Sequence, residues 1–291
     1  MRLKDFKPGS IRVRRGGGGR RLGGAGGIGC GGIVIVLVGV LLFGADPAQM
    51  IGMVEGGQQT STQSQGPASS SESDLEICDD NQYSMETCNA LASLNETWEP
   101  LFREANIQFE QPILQFLQTG ATVNTACGRA SSAMGPFYCP GDHTINIDVA
   151  FYNQMAQQMG AGGDFARYYV MAHEYGHHIQ NLVGLADQVR SAQAQSPRDS
   201  NQLQVRMELQ ADCYAGVWAS RNRNLIEPGD LEEGMRAANA IGDDTLIRNA
   251  GRSVNHENFT HGSSAQRMEW LRLGLRTGDE DQCDTFADLR G

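Results

Sequence analysis

The chain has 291 residues, 40% of them hydrophobic, and a formal net charge of −11, which suits one or two globular domains and excludes a disordered or collagen-like chain. The charge is divided unevenly. Residues 1–21 carry eight Lys and Arg with one acid, whereas residues 46–291 carry a net charge of −18. An acidic body argues against a nucleic-acid partner, since phosphate binding needs a basic surface.

Residues 22–45 form an uncharged stretch whose most apolar part is Ile33–Phe43. About 20 apolar residues in a helix cross a bilayer, so this stretch predicts a transmembrane helix. Five arginines precede it within residues 12–21, and the positive-inside rule then predicts a cytoplasmic N-terminus and an exported remainder. A cleaved signal peptide has a similar charge pattern and is the alternative.

The polar run Gly56–Asp74 has too few apolar residues to pack, which predicts a flexible linker. The predicted organisation is a basic cytoplasmic head (1–21), a transmembrane anchor (22–45), a linker (46–74) and one domain of ordinary size (75–291). This order predicts a single-pass protein of a bacterial inner membrane, with its domain in the periplasm or outside the cell.

Six of the seven cysteines follow the predicted anchor, and Cys30 lies within it. An even number on the exported side predicts disulfides, because oxidising compartments preserve them. Cys78–Cys88 and Cys127–Cys139 close short loops, which leaves Cys213–Cys283 by elimination. Free thiols packed as small hydrophobic side chains are the alternative for several of them.

Hydrophobic periodicity predicts a mostly helical α+β domain with a small sheet and no internal repeat. Helix caps and turn residues set the boundaries of the predicted elements. In chain order these are a helix over Leu75–Phe102, a strand over Thr144–Asp148, a short helix over Phe151–Met159, a long helix from Asp164 to about Leu182, a polar loop over Ser191–Asn201, and helices over Gln202–Asn222, Leu231–Ile241 and Ser263–Leu275.

The long helix contains the motif His173-Glu174-Tyr175-Gly176-His177, which is H-E-x-x-H. The i, i+4 spacing puts both imidazoles on one face, where they can bind one Zn²⁺. Glu174 projects beside the metal and can take a proton from the attacking water, then pass it to the leaving amine. A helix with surface His and Glu is the alternative, and the rarity of the motif in a chain with six histidines disfavours it.

Catalytic zinc usually has three protein ligands, so the motif needs one more. The metzincin extension requires Gly and His where this chain has Gln180 and Val183, which excludes that class. The next helix supplies Glu208 as the third ligand. Asp212, four residues later on the same face, is the predicted acceptor for the free N–H of a ligand histidine. A solvated helix face is the alternative for both carboxylates.

His261 precedes the capped last helix and is the predicted group that stabilises the oxyanion, with Tyr175 as a further candidate. A helix-entry histidine bonded to backbone is the alternative for His261. Arg267 is predicted to anchor this helix through a buried carboxylate such as Asp212. The other histidines are predicted to be structural or surface residues: His143, His178 and His256.

Several segments together resemble one family, the neutral zinc metallopeptidases of bacteria (YpfJ-like), over nearly the whole chain. They are H-E-Y-G-H-H at 173–178, E-L-Q-A-D-C-Y-A-G at 208–216, T-H-G-S-S-A-Q-R at 260–267, G-P-F-Y-C-P-G-D at 135–142 and the basic, Gly-rich head.

More distantly, the motifs are similar to those of Ste24/HtpX-type gluzincins. This similarity implies a zincin-like domain, with His173, His177 and Glu208 as zinc ligands and Glu174 as the base. It also implies that Thr144–Asp148 is a sheet edge that binds the substrate by strand addition. The chain has Gly262 where that group typically has Pro, and it lacks their multiple spans, so membrane-embedded substrates are not implied.

The sequence therefore predicts a membrane-anchored zinc endopeptidase that hydrolyses peptide bonds of exported proteins, with a peptide or protein as its substrate. One alternative is a non-catalytic, zinc-stabilised binding module tethered to the membrane. Another is a latent enzyme whose cleft is covered until a partner arrives. Its oligomeric state stays open.

Overall fold

A computed structural model describes residues 1–16 and 73–289 and confirms a mostly helical α+β fold with small sheets. The strands are β1 (Arg12–Gly16), β2 (Ile113–Leu117), β3 (Thr122–Thr125), β4 (Gly128–Ser131), β5 (Phe137–Cys139) and β6 (Thr144–Ile147). The helices are α1 (Asp74–Cys78), α2 (Gln82–Glu104), α3 (Ala150–Gln158), α4 (Asp164–Leu182), α5 (Leu185–Gln195), α6 (Ser200–Arg221), α7 (Asp230–Ala240), α8 (Asp243–Asn249) and α9 (Ser264–Thr277).

Two predicted elements differ from the structure by more than two residues, and each difference has a local cause. The helix predicted over residues 75–102 is divided into α1 and α2, because Asn81 lies between them in extended backbone and its side chain accepts the N–H groups of Tyr83 and Ser84. The first half of the loop predicted over residues 191–201 belongs to α5, which ends two residues before Pro197.

The larger sheet has the strand order β1-β2-β6-β5, in which β1, β2 and β6 are parallel and β5 is antiparallel to β6. β6 is therefore an interior strand, paired with β2 on one side and β5 on the other. The prediction that residues 144–148 form the substrate-binding edge is wrong, because the backbone of β6 already pairs on both sides. One face of this sheet joins the main core of the helices through the buried side chains of Leu114, Ile145 and Ile147.

Helices α6 and α9 cross at very short range, and two glycines permit it. A Cβ atom on Gly274 would overlap the carbonyl oxygen of Cys213, and one on Gly216 would overlap that of Leu271. The crossing places the first turns of α9 against the middle of α6, and with them Arg267 against Asp212.

Residues 1–16 fold together with the rest of the described chain. β1 extends the sheet along β2 over five consecutive residue pairs. Phe6 and Ile11 belong to the main hydrophobic core, with 7% and 4% of their surface exposed. The predicted head is therefore, as far as Gly16, part of the folded domain rather than a separate basic segment.

Three carboxylates meet near the start of α4, from Asp164, Asp230 and Glu233. The Met1 ammonium group lies 2.8 Å from Asp230 and 3.0 Å from Asp164. Glu233 accepts the backbone N–H of Phe165, which stabilises the first turn of α4. The Met1 ammonium group thus offsets part of the negative charge of this acidic cluster.

We expect Phe6→Ala to destabilise the domain by about 3 kcal/mol, because it removes a large side chain from a packed core. The melting temperature would fall by roughly 2–4 °C for each kcal/mol in a domain of this size. Thermal unfolding followed by circular dichroism measures the change. Lys7→Ala is the matched control, since Lys7 is exposed. Equal melting temperatures for the two variants would contradict the packing of residues 1–16.

All three predicted disulfides form. Cys78–Cys88 joins the end of α1 to α2, Cys127–Cys139 joins the turn between β3 and β4 to β5, and Cys213–Cys283 joins α6 to the C-terminal segment. Each of the six cysteines belongs to the predicted domain, which indicates an oxidising compartment such as the periplasm or the cell exterior.

The predicted anchor (22–45), with Cys30 inside it, and the linker as far as residue 72 lie outside the described residues. In the part of the chain that is described, no helix is both long enough and apolar enough to span a bilayer. The last two residues of the predicted linker are ordered, because Ser73 caps α1 and Asp74 begins it.

Candidate active site

The H-E-x-x-H motif lies in the middle of α4, on the face that packs against α6. The Nε2 atom of His173 lies 3.1 Å from Glu208 Oε2, and the Nε2 atom of His177 lies 3.5 Å from Glu208 Oε1. Ligand atoms of a tetrahedral zinc lie roughly 3.3 Å apart when the bonds are about 2.0–2.1 Å long. Two imidazole nitrogens and one carboxylate in this arrangement fit a zinc ion, and the three residues form a potential metal-binding group.

Gly176 sets the distance between the two helices that carry these groups. A Cβ atom there would lie 2.8 Å from Ala211 Cα and 3.0 Å from Ala211 Cβ, closer than real Cβ atoms approach their neighbours. Glycine at this position therefore lets α4 and α6 approach until the side chain of Glu208 reaches both histidines.

Both candidate ligand histidines are held through their second ring nitrogen. His173 Nδ1 lies 2.8 Å from Asp212 Oδ1, and His177 Nδ1 lies 2.9 Å from Gln180 Oε1. Gln180 is itself fixed, because its amide donates to the Met207 carbonyl and to Gln210. These contacts favour the tautomers with Nδ1 protonated, which leave both Nε2 atoms able to bind a metal.

Asp212 is the centre of a fully buried polar network. Arg267 donates to both of its carboxylate oxygens, from Nε at 2.9 Å and Nη2 at 2.9 Å, and Tyr169 donates to Oδ1 at 2.6 Å. Burial alone would raise the pKa of Asp212, but Arg267 and His173 outweigh it and hold the pKa below its usual range. Asp212 is therefore ionised, and it can fix His173 while Arg267 balances its charge.

The environment of Glu174 differs from that of Asp212. Its side chain is 8% exposed, and no described residue donates a hydrogen bond to its carboxylate. Burial raises the pKa of Glu174 above its usual range, although the neighbouring histidines act in the opposite direction. A carboxylate that is poorly solvated and not bound by the protein is suited to accept a proton from water.

His261 is 7% exposed and lies in the loop before α9. Its Nδ1 atom lies 3.1 Å from Asp243 Oδ1. Asp243 also accepts the backbone N–H groups of Thr260, His261 and Gly262, so one carboxylate organises the whole loop before α9. In the described chain the Nε2 atom of His261 has no hydrogen-bond partner, and it can donate to a substrate when the ring is an imidazolium.

Sequence reasoning missed Asp243 and the role of Gln180. Asp243 belongs to an ordinary Gly-Asp-Asp helix start and lies 18 residues before His261, so no spacing rule connects these two residues. In the sequence Gln180 serves only to exclude the metzincin class, although its place three residues after His177 puts it on the same helix face.

The other predicted candidates lie elsewhere. Tyr175 is fully buried and its hydroxyl donates to Asn95 on α2, away from the zinc-ligand candidates. His178 contacts Tyr138 and the Glu110 carbonyl, on the sheet side of α4. Burial lowers the pKa of His178 to about 4, which agrees with a structural, neutral side chain. His143 lies beside Glu110 at the surface, and His256 packs against Phe259.

Comparison with known proteins assigns the chain to a family. Residues 3–286 match the family described as "Putative neutral zinc metallopeptidase". The chain belongs to this family. It is 41% identical to the Uncharacterized protein YpfJ of Escherichia coli over 283 residues, which cover 94% of each chain. It is 42% identical to the Uncharacterized protein Rv2575 of Mycobacterium tuberculosis over 212 residues, or 68% of this chain and 69% of that relative. No solved structure matches it.

The matched region begins within the N-terminal segment and contains every candidate site residue. The family name implies zinc and peptidase chemistry. The individual roles of the residues are not part of that name.

Proposed function

We propose that the protein is a gluzincin-type zinc endopeptidase that hydrolyses peptide bonds of proteins outside the cytoplasm. The observation that carries this proposal is the convergence of His173, His177 and Glu208 beside an unpaired Glu174. A structural zinc site closes the fourth position with a protein ligand, whereas a catalytic one keeps it open. Here the fourth neighbour is a carboxylate suited to proton transfer, which favours catalysis.

Zinc, when bound by these three residues, supplies a Lewis acid that polarises the scissile carbonyl and acidifies the attacking water. Glu174 takes one proton from that water as its oxygen bonds to the carbonyl carbon. The carbon–nitrogen bond then breaks, and Glu174 passes the proton to the leaving amine. Asp212 and Gln180 keep the two histidines in the required orientation throughout.

His261 is assigned to the oxyanion that forms during attack. Its Nδ1 atom donates to Asp243, so Nε2 carries a hydrogen as well, pointing away from that carboxylate, when the ring is an imidazolium. A donor already in place where negative charge develops stabilises the transition state more than the ground state. Asp243 is a positioning residue in this scheme, because it holds both the ring and the backbone around it.

A latent peptidase is the second candidate, and one observation favours it. The proposed ligands and base are strongly buried, with 3% of Glu208, 6% of His173 and 8% of Glu174 exposed. A polypeptide substrate needs more room than these fractions indicate, so a neighbouring segment would have to move. A non-catalytic, zinc-stabilised binding module is the remaining alternative, and the unpaired Glu174 counts against it.

Metal removal tests the proposal. We expect the purified full-length chain to cleave an unstructured polypeptide, to lose this activity with a zinc chelator, and to regain it with one equivalent of Zn²⁺. Unchanged cleavage after the metal has been removed would contradict a zinc peptidase. Stoichiometric zinc without any cleavage would favour the latent enzyme or the binding module.

The three disulfides support a periplasmic or extracellular place for this activity. Membrane anchoring through residues 22–45 stays a prediction from the sequence. It is independent of the chemistry proposed here.

A further inference from the structure

We infer that residues 1–16 lie in the same compartment as the peptidase domain and bind to it as part of its fold. The positive-inside rule predicts the reverse, a cytoplasmic head and an exported domain. In the structure, basic residues of this segment instead form ion pairs with acidic residues of the domain.

Four of the six basic side chains of the segment lie beside acidic side chains of the body. These contacts join a positive segment to a body with a net charge of −18. The pairs are Arg2 with Glu227 at 2.7 Å, Arg12 with Glu110 at 3.0 Å, Arg15 with Asp80 at 3.4 Å and Arg14 with Asp142 at 3.9 Å.

Each exposed ion pair contributes little to the stability of this contact, so the apolar and backbone contacts contribute more of it. Phe6 and Ile11 are buried in the main core, and the Phe6 N–H donates to Asn89 Oδ1 at 2.9 Å inside it. Arg14 also reaches across two strands, donating to Gln115 on β2 and Thr144 on β6. This polar row fixes the register of β1 against its neighbour.

Strand pairing requires that both strands share one aqueous compartment. A chain that crossed a membrane once between Gly16 and Ser73 would leave β1 on one side and β2 on the other, where the five residue pairs could not form. The inference is therefore incompatible with the single-pass anchor predicted from the sequence. The disulfides place the body on the oxidising side, so the segment belongs there as well.

Residue accessibility in cells tests this inference. The full-length chain carries Cys30→Ser, so that the six remaining cysteines are paired in disulfides. One variant adds Lys7→Cys in the segment, and a matched variant adds Ala194→Cys on α5. Both positions are exposed. Spheroplasts of a Gram-negative host are treated with a membrane-impermeant sulfonated maleimide, before and after detergent lysis.

We expect both variants to be labelled to the same extent in intact spheroplasts, with no further increase on lysis. Labelling of Ala194→Cys in intact spheroplasts, with Lys7→Cys labelled only after lysis, would overturn the inference. Labelling of both only after lysis would support a shared compartment but contradict the export that the proposed function includes. The result does not depend on peptidase activity.

Discussion

Glu208→Ala is expected to remove zinc from the protein and to reduce cleavage to background. The variant leaves two histidines without the carboxylate that both of them face at 3.1 and 3.5 Å. Changes to groups that only support a ligand weaken metal binding by about 10–100-fold. Loss of a ligand itself should exceed that range, and the negative charge that balances Zn²⁺ is lost with it.

Competition with a metal chelator measures the zinc affinity, and cleavage of an unstructured polypeptide measures the activity. Glu269→Ala is the matched control, because Glu269 is an exposed acid on α9. If Glu208→Ala bound zinc as tightly as Glu269→Ala, Glu208 would not be a ligand.

Asp212→Ala should have the largest effect on stability. It leaves the Arg267 guanidinium buried without its partner, and breaking a buried ion pair in this way costs about 3–5 kcal/mol. For a domain of this size the melting temperature would fall by roughly 10 °C. Asp187→Ala is the matched control, since Asp187 forms an exposed pair with Arg190 and its loss should change the melting temperature little.

A double variant separates the two roles of Asp212. Asp212→Ala with Arg267→Met removes both buried charges, so much of the lost stability should return. His173 would still lack its Nδ1 partner, and zinc affinity should therefore stay about 10–100-fold below that of the wild type. If zinc affinity recovered together with the melting temperature, Asp212 would not orient a ligand.

The site residues on α4 and α6 could be predicted, because helical periodicity determines which side chains share a face of the helix. His173 and His177, and likewise Glu208 and Asp212, are four residues apart and share a face. The contact of Arg267 with Asp212 could also be anticipated, from a buried carboxylate that needed a partner. Asp243 could not, since a loop of irregular backbone brings it to His261.

The sheet was predicted less well, and its errors have one origin. The sequence gives residues 144–148 the alternation of a strand but does not identify the partners on either side. β1 is not recognisable as a strand, because Arg12, Arg14 and Arg15 resemble the positive charges that precede a transmembrane helix. β5 is not recognisable because it is only three residues long and lies in a Gly- and Pro-rich region. The similarity to gluzincins implies an edge strand at this position, and the sequence alone does not show that β2 and β5 flank it.

The central claim is that this site breaks peptide bonds with Glu174 as the base. The most direct test compares the wild type with Glu174→Gln at equal zinc content, on the same unstructured polypeptide. Glutamine keeps the shape of the side chain but cannot accept the proton, so we expect a loss of about 10²–10⁴-fold in cleavage rate with one zinc still bound. Equal cleavage by the two zinc-loaded proteins would contradict the account.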